Sequence, residues 1–201
     1  MIHITFICGF KRSGKDTLAK FLEKNYEYIH MKISKPLKDA TKILFNFTDE
    51  QLEEDKKDKI DERWNVTPRD VLKYLGTDVF QYKINELLPH TKKRFWINHL
   101  FNEIENKYIF QNQPVRIAVS DLRFDHEYEA IHEFKQKHKE LVDIRIIKIA
   151  HIGGEHRYFN QDKHESETQH LNFKYDLIIN NVQNKKDEFL EKISMIETQA
   201  S

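Results

Sequence analysis

The segment Gly9-Phe10-Lys11-Arg12-Ser13-Gly14-Lys15-Asp16 lies between an apolar run, Ile2 to Cys8, and a stretch in which Leu18, Phe21 and Leu22 have helical spacing. Gly9, Gly14 and Lys15 occupy the fixed positions of G-x-x-x-x-G-K. In such a turn the backbone N–H groups, with the N-terminus of the following helix, surround phosphate oxygens, while the lysine neutralises negative charge. Glycine–lysine patterns also occur in ordinary turns. A strand before the turn and a helix after it make this one a structural expectation. The candidate nucleotide-phosphate contacts are Gly9, Lys11, Arg12, Ser13, Gly14, Lys15, Asp16 and Thr17.

Asp16 stands where serine or threonine usually meets a metal ion. A carboxylate is a harder, charged oxygen ligand for Mg²⁺, directly or through water, but it repels phosphate when no cation is near. It is also a favourable acid at the exposed amides of a helix N-terminus. Both readings are open, and Thr17 offers a hydroxyl at the next position.

Further apolar runs at Val115 to Val119, Ile144 to Ile149 and Asp176 to Ile179 alternate with helical patterns at Tyr128 to Lys139 and Lys186 to Ile196. Strands alternating with helices imply an α/β fold with a parallel sheet covered on both faces. The length of 201 residues suits one domain. Basic and acidic residues balance at 33 each, which argues against broad attraction to nucleic acid or an anionic membrane. The single cysteine, Cys8, reads as a buried structural thiol in a reducing setting. With no basic leader and no run long enough to cross a bilayer, a soluble cytoplasmic protein is expected.

The middle of the chain reads as mostly helical. Thr67-Pro68-Arg69-Asp70 is a helix start, with a threonine cap answered by Asp70 in a capping box. Val71, Leu72, Leu75 and Val79 follow as an apolar stripe, and Gly76 suggests close approach of another backbone. The segment from Glu53 to Arg63 reads as a solvated helix or loop rather than a binding site. His156, His164 and His170 lack a convincing four-ligand pattern for zinc.

Several motifs carry a family resemblance. GFKRSGKDTLAKFL resembles the loop of the bacteriophage and large-DNA-virus deoxynucleoside monophosphate kinases, which reads G-K-D-T, and more distantly that of animal phosphomevalonate kinase. TPRDVLKYLGTDVFQ, followed by Trp96, resembles the family's T-P-R-x-x-L-x-x-x-G-T-D segment. VSDLRFDHEYEAI resembles D-V-R-F-x-N-E, and HESE with YDLIINN resembles the late H-x-S-E segment and terminal strand. These blocks span nearly the whole chain in the family's order.

The resemblance implies a P-loop NTPase fold with a parallel sheet flanked by helices, a mostly helical acceptor-binding region and a lid. One kinase domain would cover 1–201, with the acceptor region over 35–110 and the lid over 151–170. The implied reaction is transfer from ATP, with Mg²⁺, to a deoxynucleoside monophosphate. The implied partners are small-molecule nucleotides, without stable nucleic-acid or membrane binding; a homodimer is compatible with the resemblance. Lys15, Arg69, Asp121, Arg123 and Arg157 are the expected catalytic residues, and Asp16 and Asp121 the expected metal contacts.

Lys35, Lys38, Arg69, Gln81, Trp96 and Arg123 are the expected acceptor contacts, since arginine's planar fork suits a monophosphate. Arg69 and Arg123 are also compatible with ion pairs, and Trp96 with helix packing. Gln81 departs from the family pattern, which has arginine there. Two other readings remain: a P-loop kinase for another small phosphorylated acceptor, and a nucleotide-binding protein that performs no transfer.

Overall fold

The computed structural model describes residues 1–53, 56–152, 169–182 and 185–199. The chain forms two compact units, one of Met1–Lys32 with Phe101–Ser201 and the other of Ile33–Leu100.

The first unit is built on β1 (Ile2–Cys8), β2 (Tyr28–Met31), β3 (Val115–Val119), β4 (Val142–Ile152) and β5 (Leu177–Val182). They form a five-stranded sheet in the order β2-β3-β1-β4-β5, with every pairing parallel. Near-continuous apolar strands demand cover on both faces, and Phe6, Ile7 and Cys8 of the central β1 are fully buried. Ile7 packs in a core with Leu18, Leu22, Ile149, Ile179, Phe189 and Ile193, drawn from the sheet, α1 (Lys15–Tyr26) and the C-terminal helix Lys186–Gln199. Phe6, which strand alternation turns to the other face, meets Phe101 edge-on at 6.4 Å, and Phe101 stacks on Phe134 at 4.0 Å. Phe134 belongs to the helix Asp125–Lys137, which connects β3 to β4.

This order puts β1 beside both β3 and β4, so the loop after β1 and the residues after β3 share the carboxyl edge where parallel sheets collect ligands. The α/β class and the parallel sheet agree with the sequence reading. The short edge strand β2 is an addition that the reading lacked. Only four residues long, it carries the polar His30 and pairs with β3 alone. Burial pushes the Cys8 thiol up to about 12, consistent with a structural role. Among the described residues no helix is long and apolar enough to cross a membrane.

In the second unit α2 (Lys35–Phe45) and α3 (Pro68–Lys73) precede a wider π-helical stretch, Tyr74–Tyr82. Thr67 caps α3 by accepting from the Asp70 N–H at 3.1 Å, and its hydroxyl donates to the Asp70 carboxylate at 2.6 Å. At Gly76 the neighbours are side chains, not the backbone suggested by sequence. An added Cβ would come 2.7 Å from Leu37, and the Trp96 indole N–H donates to the Gly76 carbonyl at 3.0 Å. Trp96 clusters with Phe80 and Phe95 at centroid distances of 4.9 and 5.0 Å.

The Glu53 to Arg63 segment also differs from a purely solvated stretch. Asp61 is buried, and hydrogen bonds from Arg63 and Gln51 hold its carboxyl well below the usual range. The bond to Gly76 yields a test. Trp96→Phe keeps an aromatic ring but removes the indole donor to a buried carbonyl, and should cost about 1 kcal/mol, measured as a lower urea midpoint.

Candidate phosphate-binding site

Backbone geometry shapes the loop between β1 and α1. Gly9, Arg12 and Gly14 have φ of 142°, 62° and 105°, in the left-handed region that glycine tolerates best. A Cβ on Gly9 would stand 2.5 Å from the Ile149 carbonyl oxygen and 2.8 Å from Ser13 Oγ. One on Gly14 would stand 2.7 Å from Asn181 Nδ2. Neither position accommodates a side chain, so the glycine spacing has a steric cause.

Gly14 is the N-cap of α1 and supplies no side-chain cap. The first-turn amides of α1 therefore remain suited to an anion. Lys15 folds back over the loop, its Nζ donating to the carbonyls of Gly9 at 2.8 Å and Phe10 at 2.6 Å. Asn181, at the end of β5, donates to the Ser13 carbonyl at 2.8 Å and braces the loop from the sheet. The buried Ser13 hydroxyl has no hydrogen-bond partner among the described residues. A glycine cradle, an ammonium group and an orphaned hydroxyl at one helix N-terminus fit nucleotide phosphates.

Asp16 faces across to β2 and β3. Its Oδ1 accepts from Ser120 Oγ at 2.7 Å and from Lys32 Nζ at 2.8 Å. Burial alone would raise this carboxyl, but the Lys32 and Ser120 hydrogen bonds and the Lys32 and His30 charges outweigh it and hold the group below the usual carboxylate range. His30 Nε2 lies 2.8 Å from Ser120 Oγ. Because that hydroxyl's proton points to Asp16, the histidine is the donor in this contact. Burial, and then the Lys32 charge, push His30 below the usual histidine range. An ionised, partly exposed Asp16 has the hard oxygen that Mg²⁺ prefers, and Mg²⁺ commonly uses one or two carboxylates with substrate phosphates.

Asp121 follows Ser120 directly, and its charge is felt at both His30 and Glu127. The structure therefore brings Asp16, Asp121 and the loop to the same sheet edge, with Ser120 as the residue bonded to Asp16. Glu127 is buried and accepts the backbone N–H groups of Arg123 at 2.9 Å and Phe124 at 3.0 Å. Glu127 thus meets the Arg123 backbone, and the Arg123 charge also acts on it. His170, also buried, packs edge-on to Phe10 of the loop at 4.9 Å. Burial and the Lys148, Lys15 and Arg123 charges push it down to about 4.

The second unit is arranged differently. Arg69 grips Asp58 through two nitrogens, its Nη2 reaching Oδ2 at 2.9 Å, so its guanidinium has a carboxylate partner within that unit. Lys35 pairs with Asp39 one helical turn on. Lys38 is half-buried in α2, where its carbonyl accepts from the Thr41 hydroxyl at 2.8 Å. Gln81 is buried and its carbonyl accepts from Asn85 at 2.6 Å. Arg157 and most of the expected lid, 153–168, lie outside the described residues.

Lys32, Ser120, His30 and Asn181 were missed as site residues from sequence. Only Ser120, beside Asp121, and Asn181, at the end of an apolar run, carried a positional signal.

Glu127 supplies a pH test. Burial pushes it up to about 8, above the value of about 4.3 in an unfolded chain. Folding therefore takes up a proton between those values, and this stabilising contribution falls as pH rises through about 8. Glu127→Gln keeps an acceptor for the two N–H groups but cannot ionise. Urea midpoints should decline less steeply for Glu127→Gln than for wild type between about pH 5 and about pH 8.

The sequence pattern of the family described as "Deoxynucleotide monophosphate kinase" matches residues 3–65, which include the loop and β2. A protein of Acanthamoeba polyphaga mimivirus, described as a candidate deoxynucleotide monophosphate kinase, is 30% identical over 195 residues, covering 95% of this chain and 94% of its own. Among solved structures, a dephospho-CoA kinase from Campylobacter jejuni is 17% identical, with a TM-score of 0.44 and coverage of 99% of both chains. A sugar kinase from Janibacter sp. HTCC2649 is 14% identical, with a TM-score of 0.42 and coverage of 96% of this chain and 92% of its own. These structural likenesses carry no information about substrate. The mimivirus relative matches nearly end to end, and the family pattern covers the loop whose glycines and lysine the structure explains; the chain belongs to the deoxynucleotide monophosphate kinase family.

Proposed function

We propose that the protein transfers the terminal phosphoryl group of ATP to a deoxynucleoside 5′-monophosphate, giving ADP and the deoxynucleoside diphosphate. The observation that carries the phosphoryl-transfer reading is the loop itself. Its two glycines leave no room for side chains, and Lys15 folds over it at the amide-rich start of α1. Family membership supports the deoxynucleotide acceptor.

The loop amides and Lys15 would hold the β and γ phosphates, with Lys15 exchanging its carbonyl contacts for phosphate oxygens. Magnesium, when bound with ATP, would neutralise charge on those oxygens, and Asp16 and Asp121 would hold it or its waters. Arg123, beyond β3, would stabilise negative charge on the transferring group. The monophosphate oxygen that attacks is already ionised near neutral pH, so no strong base is required. The attacking oxygen forms the new P–O bond as the bond from the γ-phosphorus to the β–γ bridging oxygen breaks, and ADP carries away the electron pair. On the acceptor side, Arg69 would exchange Asp58 for the monophosphate, and Lys35, Lys38, Gln81 and Trp96 are the further candidates.

A second reading, a P-loop kinase for another small phosphorylated acceptor such as a ribonucleotide or phosphomevalonate, is favoured by Gln81. That buried amide stands where the family pattern has a cation. Incubation with ATP, Mg²⁺ and a panel of deoxynucleoside monophosphates, ribonucleoside monophosphates and phosphomevalonate separates the two readings. Rapid turnover of deoxynucleotides is expected; their inertness beside a fast alternative acceptor would select the second. In the same assay Lys15→Ala should lower kcat/KM by at least about two orders of magnitude, through loss of a central charge on the phosphates.

A further inference from the structure

Asp16 poses an electrostatic problem that other residues of the first unit address. A carboxylate immediately after Lys15 repels the phosphates that the loop is shaped to hold. Lys32 Nζ lies 2.8 Å from Asp16 Oδ1, while the chain of hydrogen bonds from His30 through Ser120 fixes that same oxygen. The Asp16 and Lys32 side chains are 58% and 30% exposed, so the pair remains open to a ligand. Lys32 directly follows Met31, the last residue of β2, and the sheet order delivers its ammonium to the phosphate end of α1.

We propose that Lys32 is a phosphate-site residue that neutralises Asp16, allowing the loop to accept nucleotide phosphates even without a divalent cation. The inference rests on the nucleotide-binding reading of the loop. Without the ammonium, Asp16 faces the phosphates as an unbalanced charge. A divalent cation arriving with the nucleotide supplies compensating charge, so dependence on Lys32 is greatest when that cation is withheld.

Calorimetric titration with ADP, in EDTA and separately with Mg²⁺, tests this on the whole protein. Lys32→Met should weaken binding about tenfold in EDTA and no more than about threefold with Mg²⁺. Lys32→Arg should stay near wild type in both. Adding Asp16→Asn to Lys32→Met should recover most of the loss in EDTA, because no carboxylate charge is left to balance. Thermal denaturation checks that each variant folds, and Lys32→Gln replaces Lys32→Met in the same cycle should the latter fail to fold.

Equal weakening by Lys32→Met in both buffers, or no recovery in the double variant, overturns the proposal. Wild-type binding only with Mg²⁺ overturns it while leaving the nucleotide reading intact. Failure of wild type to bind ADP in either buffer overturns both.

Discussion

The close approach of Gly9 to the Ile149 carbonyl constrains everything built around the phosphate loop. A Cβ there would sit 2.5 Å from that oxygen, inside any tolerable contact, so the backbone of β1 can turn into the loop only as glycine. Asn181 makes a second constraint by occupying the space beside Gly14 while bonding the Ser13 carbonyl. Together β4 and β5 hold the loop against the sheet, and α1 starts with its first amides facing the ligand side. The core of Ile7, Leu18, Leu22, Ile149 and Phe189 underlies the same turn, so packing and phosphate geometry are one arrangement.

Charge at this site is handled by pairing. Lys15 rests on two loop carbonyls, and Asp16 on Lys32 and Ser120. Lys15 and Asp16, the proposed contacts to phosphate and metal ion, thus each have an internal partner to exchange. Such exchange limits the net gain on binding, since contacts made to the ligand replace contacts already made within the protein. It also keeps strong charges oriented, which is how preorganised electrostatics lowers the cost of reaction.

Much of the fold was legible in the residue pattern. The apolar runs around Ile4, Ile117, Ile146 and Ile179 became parallel strands, and Thr67-Pro68 became a capped helix start. β2 escaped notice because four residues with His30 among them give little alternation to read. The π-helical widening at Tyr74 escaped because it preserves an apolar stripe close to that of an ordinary helix. Trp96 suits either an acceptor contact or helix packing from sequence, and its bond to Gly76 shows the packing side of that choice.

The sequence by itself determined the strand, the glycine-shaped turn and the helix with Lys15 at its start. These follow from local backbone sterics and apolar periodicity, which act over a few residues. Only the tertiary structure decided what Asp16 would meet. Ser120 lies 104 positions away and reaches it because β3 pairs beside β1, while His30 and Lys32 arrive through β2 at the sheet edge. Partners of that kind depend on strand order and register, which no short stretch of residues encodes.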